Sequence, residues 1–370
     1  MIGAFDAWAE SARAIVVGCG GVGGSVLAHL RSQGRHVVAV TGNAEITKAI
    51  GAHGLRASLP GGVRIERIDV VTRAAALPTG PYDIAFLAVP PNRMEGAAAD
   101  VLPALGARGV LVPLANGLPE ERLVAALGAA VADRVVGCIV GFGASMTRPG
   151  VVEQTSEGGL TLGKLSGAVD DDVQRVAAFV RPVDREVELS TNLRGARWSK
   201  LAINCAISSL GTIGGDRLGA LMRHRFVRRL CLEVMTEATQ VAIALGVKLE
   251  KIAGTIDLEW IALDDEERLA AGSPGLLAKH TVLLAVGARY RRLRSSMLLA
   301  IERGREPPVD YLNGEVVRCA EGLNLRVPVN AAIVDAVKQI ARAERAPSFD
   351  GLRRLFDDTR ATLKELRLAA

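Results

Sequence analysis

Residues 14–30 constrain the fold more than any other stretch. The β-branched apolar run AIVVG (14–18) passes without a break into GCGGVGGSVLAHL (18–30), so Gly18, Gly20 and Gly23 fall at the spacing G-x-G-x-x-G between a strand and a helix. Each glycine has a separate use there. The first allows the tight turn, the second lets a pyrophosphate approach the backbone, and the third lets the helix lie on the strand. The phosphate itself is held by the amides of the helix N-terminus. Gly18, Gly20, Gly21, Val22 and Gly23 are therefore candidate contacts of a dinucleotide. A tight turn without a ligand is the plainer alternative, and the strand–turn–helix context argues against it.

The rest of the first half repeats this texture. HVVAV (36–40), IAFLAV (84–89) and GVLVPL (109–114) are short continuous apolar runs separated by helical stretches. Strands buried on both faces read this way, so an α/β, Rossmann-like doubly wound parallel sheet is expected. Further β-rich pieces follow at 134–142, 150–155 and 160–165, then a helix near 170–180 and a last strand at 185–190. After about residue 190 long amphipathic segments take over, at 195–210, 218–245, 276–303, 310–322, 330–343 and 350–367. A chain of 370 residues is long for one domain. The expected organisation is a dinucleotide-binding domain over 1–190 and an all-helical substrate and catalytic domain over 191–370. The stretch 249–275 reads as a surface loop with one short helix.

The residue ending the second strand selects between dinucleotides: an acidic one favours NAD and a basic one NADP. VTGN (40–43) is neither. No carboxylate there repels a 2′-phosphate, and Thr41 and Asn43 can donate to one, so the reading leans to NADP (NADPH) with NAD left open. Val89, at the end of its strand, completes the candidate cofactor contacts.

The five cysteines are scattered in apolar context, which points to reduced thiols in a cytoplasm rather than a disulfide framework. Neither they nor the five histidines have metal-ligand spacing, so no metal is expected. No apolar run is long enough to span a membrane, and the N-terminus lacks the pattern of a secretion signal. A net charge of +5 is mild, and RYRRLR (289–294) comes with few aromatics, so it reads as a solvated helix face and not a nucleic-acid surface.

The second half holds one conspicuous anomaly, RWSKLAINCAISS (197–209). On a helix, positions four apart drift by only about 40°, so Lys200, Asn204 and Ser208 share a face of an otherwise apolar rod. An enzyme that reduces a ketone needs a proton donor or cation at the carbonyl oxygen and polar groups to orient the substrate. Lys200 can protonate; Asn204 and Ser208 can hydrogen-bond a carboxylate or hydroxyl. The bland alternative is a snorkelling lysine beside two residues bonded to local backbone.

With these residues in view, the chain resembles the ketopantoate reductase (2-dehydropantoate 2-reductase) family. The resemblance rests on the glycine loop, ANGL (115–118), RWSKLAIN (197–204), RSSMLLAIERGREPPVDYLNGEVV (294–317) and VPVN (327–330), in that order. It implies NADPH-dependent reduction of a 2-keto acid in a cleft between the domains. By position, Lys200 would be the general acid and Asn116 would lie beside the nicotinamide. Asn204 and Ser296 would hold the substrate, with Ser208 on the stripe and Asp310 at a position also acidic in the family. The match is not complete. A family glutamate that binds the substrate hydroxyl falls on Pro308, the second asparagine of the helix on Ser208, a basic residue on Gly42 and a lysine on Pro90. Glu306 or Glu315 could stand in for the missing carboxylate.

The resulting expectation is an NAD(P)H-dependent oxidoreductase that reduces an anionic, ketopantoate-like 2-keto acid to the 2-hydroxy acid. The loss of a hydroxyl-binding group favours a substrate of different, less polar side chain. Ketopantoate itself, a cofactor-binding redox sensor without turnover, and an opine- or imine-type reductase are the alternatives. A homodimer is compatible with the helical half, although no face is specified by the sequence.

Overall fold

The computed structural model describes residues 4–251, 256–270 and 272–368. The stretch 249–275 thus lies partly outside the described residues. The chain divides into two compact units, residues 1–193 and 194–370.

In the first unit, strands β1 (Arg13–Val17), β2 (His36–Val40), β3 (Leu55–Leu59), β4 (Gly62–Glu66), β5 (Asp69–Val71), β6 (Tyr82–Leu87) and β7 (Leu105–Pro113) are followed by β8 (Gly137–Val140), β9 (Gly143–Arg148), β10 (Val151–Ser156), β11 (Leu160–Gly163) and β12 (Glu188–Leu189). The helices are α1 (Ala4–Ser11), α2 (Gly21–Ser32), α3 (Ala44–His53), α4 (Met94–Val101), α5 (Pro119–Leu127) and α6 (Asp171–Val180). A wholly parallel sheet runs in the order β5-β2-β1-β6-β7, with Val16 of β1 aligned to Ala39 on one side and Phe86 on the other.

The two cores explain why β1 is a continuous apolar run. Ala14 and Val16 pack into one with Val26, Leu27 and Leu30 of α2 and Phe179 of α6. Ile15 and Val17 pack into the other with Met94 and Ala98 of α4 and Leu123 of α5. Both faces of the strand are covered, so no polar alternation is possible and the doubly wound layering follows.

Two smaller sheets, β4-β3-β10-β9 and β12-β11-β8, complete the unit. The β-rich piece expected over 134–142 holds β8, whereas β9, which follows it in a different sheet, was not anticipated. The chain leaves one sheet after Val140 and enters another at Gly143. At the crossing, Gly141 donates to Gly159 O at 2.8 Å, and a Cβ on Gly141 would stand 2.9 Å from that same oxygen. Only glycine permits so close a passage.

The second unit is helical: α7 (Leu193–Gly214), α8 (Leu218–Met222), α9 (Arg225–Ala244), α10 (Leu258–Ile261), α11 (Asp265–Leu269), α12 (Pro274–Arg289), α13 (Ser296–Glu302), α14 (Asn313–Glu321), α15 (Pro328–Ala341) and α16 (Phe349–Leu368). Two segments expected as single helices are broken. Between α8 and α9 the chain turns at Arg223 and His224, and Arg228 Nη1 takes up the carbonyls of Met222 and Arg223. Between α12 and α13 the segment 290–295 leaves the helix. Leu293 O there accepts from Leu218 N at 2.9 Å, and Ser295 caps α13 through Leu298 N. In both places side-chain and long-range hydrogen bonds outweigh a helical periodicity that continues across the break.

Candidate active site

Within the first unit, the candidate cofactor residues gather at the carboxyl ends of the parallel strands. Gly18 follows β1, Thr41 follows β2, Val89 lies just beyond β6 and Asn116 follows β7. That edge, where the strand order reverses, is where open α/β sheets bind ligands. Gly18 has φ +97°, and a Cβ there would sit 2.6 Å from Ala88 O. A Cβ on Gly23 would lie 1.9 Å from Gly18 O, so helix and strand could not close. Gly20 is different: nothing lies within 4 Å of its added Cβ, so the backbone faces open space. Gly20 is also the N-cap of α2, and no side chain caps the helix there. An uncapped helix start bordered by a bare glycine is the cradle that a pyrophosphate fills, so the residues present fit a dinucleotide.

Cys19, inside this loop, is buried, and burial pushes its thiol up to about 12, so it is no nucleophile. Thr41 Oγ1 accepts from Asn43 N at 3.4 Å, and Asn43 Oδ1 caps α3 by accepting from Ile46 N at 3.0 Å. The capping oxygen of Asn43 is therefore committed to the helix start, which leaves its amide NH₂ as the group suited to an anion. Asn116 is exposed, next to Gly117 at φ +94°.

Within the second unit, α7 is a buried rod with one open strip. From Gly195 to Gly214 every residue is buried except Lys200, Ile203, Asn204, Ile207 and Ser208. These five recur at i, i+3, i+4, i+7 and i+8, which is one face of an α-helix. Lys200, Asn204 and Ser208 are thus brought together, with two isoleucines completing the surface.

Ser296 borders the Ser208 end of the strip. Its neighbour Ser295 donates to Ser208 O at 2.7 Å and shares a 2.8 Å hydrogen bond with Thr212 Oγ1. Because Ser295 performs the capping, Ser296 stands exposed in the first turn of α13. Asp310 is engaged elsewhere, in a 2.7 Å ion pair with Lys338. Pro308 is half-buried at the start of a 3₁₀ turn. Of the two substitute carboxylates, Glu306 is exposed and Glu315 is buried and paired with Arg318 one helical turn away.

A buried polar chain behind α7 was missed from the sequence. Ser209 Oγ donates to Asn313 Oδ1, Asn313 Nδ2 donates to Asn330 Oδ1 at 2.9 Å and to Cys205 O at 3.3 Å, and Asn330 Nδ2 donates to Glu237 at 2.8 Å. Glu237 also accepts from Val329 N and Asn330 N, the first turn of α15. From the Ser209 hydroxyl to the Glu237 carboxyl the side-chain donors run in one direction, so these bonds reinforce one another. Ser209 and Cys205 each adjoin a strip residue, so this chain fixes the rotation of α7. Burial raises the Glu237 carboxyl to about 7 against the opposing pull of its three N–H donors and Arg268.

Among the described residues no group of three or more His, Cys, Asp or Glu could hold a metal ion, and no helix is long and apolar enough to cross a membrane.

Comparison with known proteins finds matches to both halves of the chain. Residues 14–167 match the family described as ketopantoate reductase PanE/ApbA, and residues 192–341 match its C-terminal domain family. The 2-dehydropantoate 2-reductase of Pyrococcus horikoshii is 24% identical over 324 residues, covering 87% of this chain and 95% of that one. The crystal structure of a PanE/ApbA family ketopantoate reductase from Ralstonia eutropha superposes with a TM-score of 0.72 at 25% identity, covering 89% of this chain and 99% of that one. A D-mandelate dehydrogenase solved with NADH and anilino(oxo)acetate has a TM-score of 0.75 at 16% identity, covering 89% and 98%, and shares the fold. The glycine loop at the sheet edge and the lysine strip on α7 thus lie in the two matched segments, and the chain belongs to the ketopantoate reductase family.

Proposed function

We propose that this protein reduces an anionic 2-keto acid to the 2-hydroxy acid with NADPH, and that Lys200 is the general acid. The observation that carries the proposal is the α7 strip: five open positions on a helix that is otherwise buried, three of them polar and one a cation. A structural helix gains nothing by leaving such a file half-open.

The reduced nicotinamide, when bound, supplies the hydride to the keto carbon. The residues of the chain do the rest. Gly20, Gly21, Val22 and Gly23 bring amides to the pyrophosphate, and Gly18, whose N–H is held by Val40 O at 2.8 Å, makes the turn that seats it; Thr41 and Asn43 offer donors to the ribose end, and Val89 and Asn116 border the nicotinamide. The absence of any carboxylate at the end of β2 supports NADPH over NADH. As charge develops on the carbonyl oxygen, the Lys200 ammonium hydrogen-bonds it and gives up its proton, leaving a neutral amine that water reprotonates. Asn204, Ser208 and Ser296 hydrogen-bond the substrate carboxylate and fix the carbonyl toward Lys200. Asp310, already paired with Lys338, is assigned to holding the turn before α14.

Ile203 and Ile207 lie between the polar members of the strip. Together with Pro308, which offers no hydrogen-bonding side chain, they favour a substrate whose side chain is less polar than that of ketopantoate. The test is oxidation of NADPH and of NADH against a panel of 2-keto acids that includes ketopantoate and aromatic and branched aliphatic members. Turnover of an apolar member above ketopantoate supports the full reading, and ketopantoate alone would restore the family substrate. Tight NADPH binding without turnover of any 2-keto acid would instead favour a sensor. Oxidation only with an added amine would favour an imine reductase.

A further inference from the structure

NADPH brings one group that NADH lacks, and the charge of that group needs a partner. A phosphate monoester carries roughly 1.5 to 2 negative charges at neutral pH, so a site that prefers it to a bare ribose hydroxyl places a cation beside it. The end of β2 supplies none. Thr41, Gly42 and Asn43 are uncharged, and a Cβ on Gly42 would have nothing within 4 Å, so the edge is open there.

The neighbouring strand carries the cation. β5 is the outermost strand of the parallel sheet and lies against β2, with Val38 aligned to Asp69, Ala39 to Val70 and Val40 to Val71. Thr41 N donates to Val71 O at 3.0 Å, so the pairing continues past the end of β2. Arg73, two residues beyond β5, is still extended, at φ −153° and ψ 154°. The same register carried two residues forward sets Arg73 beside Gly42, about 4.8 Å away at the spacing of paired strands.

Arg73 is also uncommitted. It is exposed, and among the described residues it makes no hydrogen bond or ion pair, with Glu45 in the first turn of α3 or with any other group. Arg31 and Arg35 of the same unit are by contrast spent on the carbonyls of Arg67 and Ala178. Arg93 is another exposed cation of this edge. It follows β6, however, and β1 lies between β6 and β2, which puts its strand about 10 Å from β2.

We propose that Arg73 selects the phosphorylated dinucleotide: its guanidinium pairs with the 2′-phosphate, and Thr41 and Asn43 donate to the same group from β2. The assignment rests on the reading of the chain as NADPH-dependent and gives that reading its cation. The planar fork of arginine matches two phosphate oxygens, which a lysine at the same place meets only as a point charge.

Calorimetric titration of the full chain with NADPH, NADH and 2′-AMP, with no keto acid present, tests this. Wild type should bind NADPH more tightly than NADH. Arg73→Gln should weaken NADPH and 2′-AMP by about 10- to 100-fold, while NADH affinity and the urea midpoint stay as in wild type. Arg73→Lys should recover part of the loss. Added salt should weaken NADPH binding in wild type and much less in Arg73→Gln. Wild-type affinity of Arg73→Gln for NADPH would overturn the assignment and leave the NADPH reading standing. The same loss on Arg93→Gln, with Arg73→Gln unaffected, would move the contact to β6 and overturn it too. Wild type binding NADH as tightly as NADPH would instead refute the NADPH reading, and the assignment with it.

Discussion

Replacing Glu237 by Gln isolates the buried polar chain behind α7. Glu237 has no exposed surface, and burial lifts its carboxyl from 4.5 to about 7. Unfolded, the group releases its proton near 4.5; folded, it keeps it until about 7. Within that window the unfolded chain therefore binds fewer protons, and stability falls as pH rises. At about 1.4 kcal/mol per tenfold change in proton affinity, the full loss is about 3 kcal/mol, complete above pH 7 and absent below 4.5. Gln cannot titrate. It also points an NH₂ at donors that now meet an acceptor, which adds a cost independent of pH. The assay is urea unfolding of both proteins at intervals from pH 4.5 to 7.5, followed through the buried Trp198. The wild-type stability minus that of the variant should fall by about 3 kcal/mol across the range. Parallel curves for the two proteins would refute the account of Glu237.

His280 should act with the opposite sign. Burial, assisted by Arg228, Arg225 and Arg229, holds it down to about 4, so the folded state resists a proton that the unfolded chain accepts from 6.5. Its contribution to stability is present above that value and lost as pH falls toward 4. Urea unfolding of His280→Phe should show a flatter acid limb than wild type. The glycine loop predicts a separation of folding from binding. Gly20→Ala enters open space, so it should leave the unfolding free energy within about 0.5 kcal/mol apart from helix-start effects and weaken NADPH binding tenfold or more by fluorescence titration. Gly23→Ala meets Gly18 O and should cost about 3 kcal/mol or more, or fail to fold.

The elements that were legible in the sequence are those whose partners are dictated by local pattern. β1, β2, β6 and β7 are apolar runs because both faces are covered, and α7 announced its strip because helical spacing alone puts Lys200, Asn204 and Ser208 on one side. The hairpin of β3 and β4 was not anticipated. Its sequence LRASLPGGVRIE carries polar and charged residues on exposed positions, and β3 is held by β10, nearly 100 residues later. The breaks at Arg223 and at 290–295 were missed because arginine, histidine and leucine carry no stop signal; the first is held by the Arg228 side chain five residues on, the second by Leu218 N from a distant helix. The same holds for the site. Ser209 and Asn313 are 104 positions apart, and Asn330 and Glu237 are 93 apart, so nothing in either neighbourhood marks the chain of bonds. The quoted VPVN and YLNG were its only local trace.

The central claim is that Lys200 delivers the proton, and single-turnover rates of Lys200→Ala test it most directly. With NADPH saturating and the best 2-keto acid of the panel, the variant should bind cofactor as wild type does while the rate of NADPH oxidation falls by about 10²–10⁴-fold. A variant that reduces the keto acid at the wild-type rate would remove Lys200 from the reaction and leave the α7 strip without its chemistry.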